Sequence, residues 1–408
     1  MRPPLRLVVI LGALSAFGPL SVDFYLPALP QLTSDLDASA SAGQLTLTAC
    51  VLGLAFGQLA IGPLSDRFGR RPPLIAGLAL YCAASLACAA APSIWVFTGL
   101  RLVQGLSGAA GIVVARSIVR DIASGAAAAR LFSILMLVVG VVPVVAPLAG
   151  GGLLRLTSWR GLFVILAAVD AVILGATALW LRETLPVGRR RRRSDGAAGF
   201  GFRELLDDRR FVAYATVLGL AFAAMFCYIA GSSFVLQDLY GISPQLYGAV
   251  FALNAFGIIV CSLGNRRLVA RVGPERMLEA GVLAGAAAGG TLLAVALAGG
   301  IGLAGILPCL FVIVATMGVV IPNSTALALA DYPHAAGAAS ALLGASQFAI
   351  GAAAAPLVGL GGRGTAVPMA LAIALFGAGA VAALGVARRA AGAPRAEPVP
   401  STATEGVS

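Results

Sequence analysis

Three ionisable side chains stand where a lipid bilayer would exclude them. Asp23 lies in "FGPLSVDFYLPALP", near the end of an apolar run that begins at Leu7 and holds no other charge. Arg101 opens "RLVQGLSGAAG", and Asp170 sits inside "FVILAAVDAVILG". A charge at membrane depth is costly, so such residues usually pair with one another or handle ions and substrates. The chemistry on offer is the holding and passing of charge. Asp23 has a structural alternative, a cap or hydrogen bond at a Pro27 kink. Asp170, near the centre of its run, is a rival acid for the same task, or else is protonated or hydrogen-bonded against a neighbouring helix.

The elements that must position these groups are membrane helices. The chain has 408 residues, 59% hydrophobic and 11% charged, where a soluble domain carries about 25% charged residues. Apolar runs of roughly 20 residues recur along it, each long enough to span a bilayer as a helix. Spans are expected at about 7–30, 43–64, 73–91, 94–117, 130–153, 161–182, 211–236, 245–268, 277–299, 301–329, 335–360 and 366–387. The expected fold class is all-α integral membrane, with twelve transmembrane helices. All 28 basic residues are Arg. With the N-terminus inside, Arg155, Arg160 and Arg363 fall outside and Arg101 falls within a helix. The other Arg gather at cytoplasmic ends, as the positive-inside rule requires, so both termini are expected in the cytoplasm. The first run continues past any signal-peptide cleavage point and reads as a retained helix.

Several function classes drop out. The net charge of +11 follows from this topology and does not imply nucleic acid as a partner. Cys50, Cys82, Cys88, Cys227, Cys261 and Cys309 all fall in spans, without metal or disulfide spacing. His334 is the single His and lies in a cytoplasmic loop, so neither a metal nor a cofactor is expected. Without Lys the chain cannot build a phosphate-cradling P-loop, and any uphill transport must draw on an ion gradient.

The spans fall into two halves. An N-terminal bundle at 1–182 and a C-terminal bundle at 211–389 flank a cytoplasmic linker at 183–210, and the tail at 390–408 reads as disordered. The run Arg189–Arg193 in the linker anchors topology, with anionic lipid as a further ligand. "SDRFGRRP" at 65–72 matches "ARVGPERM" at 270–277, so that Arg67 corresponds to Arg271 and Gly69 to Gly273. Internal duplication is a building principle of secondary transporters, whose substrate site lies between the halves near the midplane.

The most specific motif is "GQLAIGPLSDRFGRRPPL" at 57–74. Gly62 and Pro63 end or bend the second helix, and Arg70 stands one turn beyond Asp66. This stretch resembles the signature loop of the major facilitator superfamily, G-x-x-x-D-R-x-G-R-R/K, through Gly62, Asp66, Arg67, Gly69, Arg70 and Arg71. The resemblance implies a latch on the cytoplasmic gate, with Asp121 in "ARSIVRD" as the acid for Arg70. Arg101, Gln104 and Gly105 resemble the helix-four motif R-x-x-Q-G of the same superfamily, whose Arg is linked to proton transfer. "VVGVVPVVAPLAGG" at 138–151 resembles its antiporter motif through Gly140, Pro143, Pro147, Gly150 and Gly151, with Ala146 where Gly is usual.

With "DFYLPALP" and "RSIVRDIASG", these motifs are similar to those of the Bcr/CflA group of bacterial drug:proton antiporters, whose members export bicyclomycin, phenicols and sulfonamides. The resemblance makes Asp23 a proton-exchange site, with Arg101 linked to proton transfer, while Asp170, which matches no motif of the group, stays a rival candidate for the coupling role. Asp23 and Arg101 both fall roughly 7 Å outside the midplane, at about 1.5 Å per residue, and so can share the cost of burial. Tyr25, Gln58, Met136, Phe222, Met225, Tyr228, Phe251, Asn254, Asn323 and Gln347 lie on helices expected to face a drug cavity. The expected function is drug export against proton import across the bacterial inner membrane, by a monomer. A metabolite transporter on the same scaffold, and a membrane enzyme or receptor, are the competing readings.

Overall fold

The structure is a computed structural model that describes residues 4–123, 125–186, 205–299, 302–332, 336–359 and 364–392. The Arg189–Arg193 run, most of the linker, His334, Arg363 and the tail beyond 392 lie outside the described residues. Among the described residues, eleven helices are long and apolar enough to cross a membrane, and a bent pair supplies a twelfth span. The first half holds α1 (Leu5–Ser15 and Phe17–Asp35), α2 (Ala40–Phe68), α3 (Arg71–Ala89), α4 (Ile94–Ile122), α5 (Gly125–Leu153) and α6 (Trp159–Trp180). The second holds α7 (Arg209–Ser233, continued by a π-helical turn at Phe234–Leu239), α8 (Pro244–Val272), α9 (Pro274–Ala298), α10 (Leu303–Ala315 and Met317–Leu329), α11 (Ala336–Gly359) and α12 (Val367–Gly392).

Each boundary has a local cause. Ser39, Ser93 and Ser243 cap α2, α4 and α8 by accepting from the backbone N–H three residues on. Gly69 and Gly273 close α2 and α8 at φ of 95° and 88°, a conformation open to Gly and strained for other residues. The matched motif halves are thus matched in geometry. The two parts of α1 meet at 42°. Pro19 accounts for this break, because it has no N–H for the Ser15 carbonyl and its ring crowds that group. The bend therefore falls at Ala16 and not at Pro27, where the chain makes a short 3-10 turn over Leu26–Ala28.

Glycines set the closest helix approaches. A Cβ on Gly53 or Gly57 of α2 would strike the α4 backbone around Leu102–Leu106, and one on Gly105 would strike the Cys50 carbonyl. Small residues of this kind let membrane helices pack backbone to backbone. In the second half α7 holds the corresponding central place, packed against α11 and α12.

Among the described residues, the hydrogen bonds between the halves lie at one end. Thr48 Oγ1 donates to the Ala352 carbonyl at 2.9 Å, and Gln44 Nε2 to the Ala230 carbonyl at 3.3 Å. Ser233 Oγ donates to the Leu26 carbonyl at 2.7 Å, and Gln245 Nε2 to the Gly151 carbonyl at 2.9 Å. On α5, Pro147 and Gly151 abut the α8 backbone at Gly248 and Pro244. Gly140 shares their face about two turns away, yet a Cβ there would meet nothing within 4 Å, and the same holds for Gly62 in α2 and Gly344 in α11. The molecule is closed at the end bearing Leu26 and Gly151, and among the described residues no hydrogen bond joins the halves from near its middle to the end bearing Asp66, the parted end.

Candidate functional site

Arg101 is fully buried inside the first half. Its guanidinium donates to Gln104 Oε1 and, at 2.5 Å, to the Ser21 carbonyl. It also lies 4.4 Å from the Tyr25 ring centroid and 5.6 Å from that of Phe163. Gln104 passes a hydrogen bond to Ser85, Ser21 is bonded to the Tyr81 hydroxyl, and Tyr25 to Thr46. A carbonyl, an amide and two ring faces thus solvate the cation, without a carboxylate.

Asp23 does not pair with Arg101. On a helix at about 100° per residue, Asp23 points roughly opposite to Ser21. Ser21 turns inward to Arg101 and Tyr81, so Asp23 turns outward to the seam. It is 5% exposed and has no hydrogen bond or ion pair among the described residues. The groups near enough to feel its charge belong to the other half: Tyr228 of α7 and Tyr247 of α8. Tyr228 accepts from Asn254 Nδ2 at 2.9 Å and stacks on Phe251 at 5.5 Å, while Tyr247 is bonded to Ser232. Three expected cavity residues, Tyr228, Phe251 and Asn254, therefore cluster opposite Asp23. Tyr247 and Ser232 join them without having been singled out, since a Tyr or Ser on an apolar helix has no spacing signal of its own.

The remaining candidates separate by place. Met136 is 48% exposed, one turn beyond Gly140 on the seam face of α5. Gln58 and Gln347 are half-buried. Phe222 stacks on Phe226 at 5.9 Å and meets Phe348 edge-on at 5.4 Å, beside buried Met225. Asn323 is spent on Asn265 Oδ1 at 2.7 Å and on the Val319 carbonyl. Tyr25 is buried under Arg101 and away from the parted space. Asp170 is 1% exposed on the α3 side of α6, where it feels Tyr81 and Cys82; neither of its oxygens bonds a described residue.

The antiporter-like segment is a packing surface. Gly150 lets α5 touch the Phe24 carbonyl of α1, and Gly151 lets it touch Pro244 of α8, with Ala146 buried between. Pro143 and Pro147 lie within the helix.

At the parted end, Arg70 is held by both Asp66 and Asp121, the latter at 2.8 Å, and by Ser65 Oγ at 2.9 Å. Burial opposes its charge, but the Asp121 and Asp66 carboxylates outweigh this and hold Arg70 above the ordinary arginine value. Arg67 stays exposed beside Phe68, and Arg71 donates to the Ala178 carbonyl at 2.6 Å. Two further residues belong to this cluster. Glu183 accepts the backbone N–H groups of Arg70 and Arg71, at 2.8 and 3.1 Å, and so caps α3. Thr184 Oγ1 donates to Asp121 at 3.0 Å. The pair begins the expected linker, and its partners are distant in sequence, so local reading passes over it.

Two helical bundles, joined at one end over a buried acid and parted at the other, define a membrane transporter. The family model described as Major Facilitator Superfamily matches residues 10–356, and the chain belongs to that family. It is 39% identical over 90% of its length to 91% of an uncharacterised MFS-type transporter, YdgK, of Bacillus subtilis. It is 31% identical over 89% of its length to 91% of a bicyclomycin resistance protein homolog of Haemophilus influenzae. Among solved structures, a bacterial homolog of the human lysosomal transporter Spinster, inward-facing and occupied, superposes with a TM-score of 0.71 at 17% identity, covering 94% of this chain and 96% of that one.

Proposed function

We propose that this chain exports small drug-like molecules in exchange for protons, by rocking residues 1–182 against residues 211–389 about a cargo site at the seam. One observation carries the reading: Asp23 is a buried carboxyl with no partner among the described residues, next to the closed contacts between the halves. Burying it as an anion is expensive, and a proton removes that cost. Opening the closed end withdraws the helices that cover Asp23 and lets outer water supply the proton, which leaves towards the cytoplasm when cargo binds in the inward-parted form. Arg101 remains a fixed cation held on the Ser21 carbonyl, and Tyr228, Tyr247 and Asn254 offer polar groups to cargo. Asp170 lies off this path.

The Arg distribution supports a cytoplasmic parted end and cytoplasmic termini, in the inner membrane of a bacterium. The Arg70 cluster then serves as the inner latch. A relative named for bicyclomycin resistance favours drug-like cargo, with phenicols and sulfonamides as related candidates. The working unit is a monomer.

The test is proton flux in proteoliposomes under an imposed pH gradient, followed by an internal dye over a panel of bicyclomycin, chloramphenicol and a sulfonamide. At least one compound should drive proton movement through the wild type, and Asp23→Asn should abolish that movement while its unfolding temperature holds. Undiminished flux through the variant rejects the role of Asp23. Silence of the wild type towards the whole panel rejects drug export and favours a metabolite as cargo.

A further inference from the structure

Arg116 is a charge that neither the latch nor the Asp23 region uses. It lies on α4 six residues before Ile122, about 9 Å inside the parted end at about 1.5 Å per residue. Eleven residues earlier Gly105 packs on α2, and about three turns return Arg116 to nearly the same side. Gly111 and Ile112 turn the adjoining side towards α1, through Leu14 and Gly18. Arg116 therefore projects on the α2 side of α4, next to the side that meets α1. It is exposed although its neighbours Ala115 and Ser117 are buried.

Among the described residues nothing bonds or pairs with Arg116. The nearby acids are engaged elsewhere: Asp66 and Asp121 hold Arg70, and at the same end Asp331 holds Arg210 while Asp208 accepts from Tyr332. Arg120, one turn on, adds a second positive charge and donates to Ser117 Oγ at 3.4 Å. A guanidinium stays ionised in any protein setting and offers a planar fork that fits a carboxylate. Here that fork is unspent and open to water. An unbalanced charge at the mouth of a low-dielectric cleft concentrates ions of opposite sign and repels those of its own.

We propose that Arg116 makes the mouth of the vestibule an anion-attracting site, which favours cargo bearing a carboxylate or other organic acid over cationic cargo. The identity of the cargo rests on the exporter reading; the sign of the vestibule does not.

Ile112→Cys places a thiol one turn deeper on α4, so that a reagent arriving from the parted end passes Arg116. Rates are measured with two methanethiosulfonates, one carrying a sulfonate and one a trimethylammonium group, against the chain without the added cysteine. Arg116→Gln should lower the anion-to-cation rate ratio about five- to tenfold, the effect of one unit charge about 6 Å away in water. A ratio unchanged within about twofold, or a thiol that does not react, overturns the proposal. Arg120→Cys supplies the same comparison if Ile112→Cys does not fold.

Cargo class is read by protection of the same thiol from N-ethylmaleimide. Chloramphenicol hemisuccinate, an anion, should protect the wild-type Arg116 background more than the Arg116→Gln background, and neutral chloramphenicol should not distinguish them. Equal behaviour of both compounds overturns the cargo assignment. Asp23→Asn should leave the rate ratio intact; a wild type with a normal ratio but no compound-driven proton flux sinks the exporter reading and leaves the role of Arg116 standing.

Discussion

Gly151→Ala should push the molecule out of its closed-end form. A Cβ at that position would lie 2.5 Å from the Pro244 carbonyl oxygen and 3.2 Å from its carbon, both backbone atoms of α8. Real Cβ contacts essentially never fall under 3.0 Å, so α5 and α8 must part by roughly half an ångström or more. The Gln245 bond to the Gly151 carbonyl, now 2.9 Å, stretches with them. Overpacking of this kind costs about 1–3 kcal/mol. Because the collision exists only where the halves touch, the cost falls on the closed-end form alone. A differential of about 1–3 kcal/mol shifts a two-state population by about 5- to 150-fold. Gly140→Ala is the control, since the same change on the same face of α5 meets nothing within 4 Å. Spin labels at Ser34 and Leu246, exposed positions of the two halves at the closed end, report the separation by double electron–electron resonance. A longer-distance population should appear with Gly151→Ala and not with Gly140→Ala. Equal distributions in both variants would refute the claim that backbone contact at Gly151 closes this end.

Glu183 should confer pH-dependent stability. Burial raises its pKa, but the N–H groups of Leu185, Arg70, Arg71 and Thr184 outweigh that and hold the carboxyl below its usual 4.5. Its contribution is therefore complete above that value and lost as pH falls through the depressed one. Glu183→Gln should cost about 1 kcal/mol of stability at pH 7, and thermal unfolding of the two proteins should converge below pH 4.5. Arg101→Lys keeps the charge but cannot serve Ser21 and Gln104 as a fork while lying flat on Tyr25. A loss of about 2 kcal/mol is expected in thermal unfolding; an unchanged midpoint would show that the fork geometry is dispensable.

Of the candidate site, the pairing of Arg70 with Asp121 was legible before any fold was known. Both residues sit at helix ends, where a motif confines them and where unpaired charges must find partners. Asp23 and Arg101 were legible as buried charges at one depth, because depth follows from counting residues along a helix. That they do not touch was not legible. Side-chain direction depends on how each helix is turned about its axis, and it is the Ser21 carbonyl that holds the Arg101 guanidinium. Glu183 and Thr184 were hidden for a related reason, since their partners lie across the molecule in α3 and α4.

What the chain determines by itself is the set of spans, their order and the side on which Arg accumulates, because water and lipid act on each segment separately. The tertiary structure alone decided that the closed end carries Leu26 and Gly151, that Asp23 lies near Tyr228 and Tyr247 of the other half, and that Arg116 stands exposed between buried neighbours. Those outcomes depend on contacts between segments far apart in sequence, whose strengths no single helix encodes.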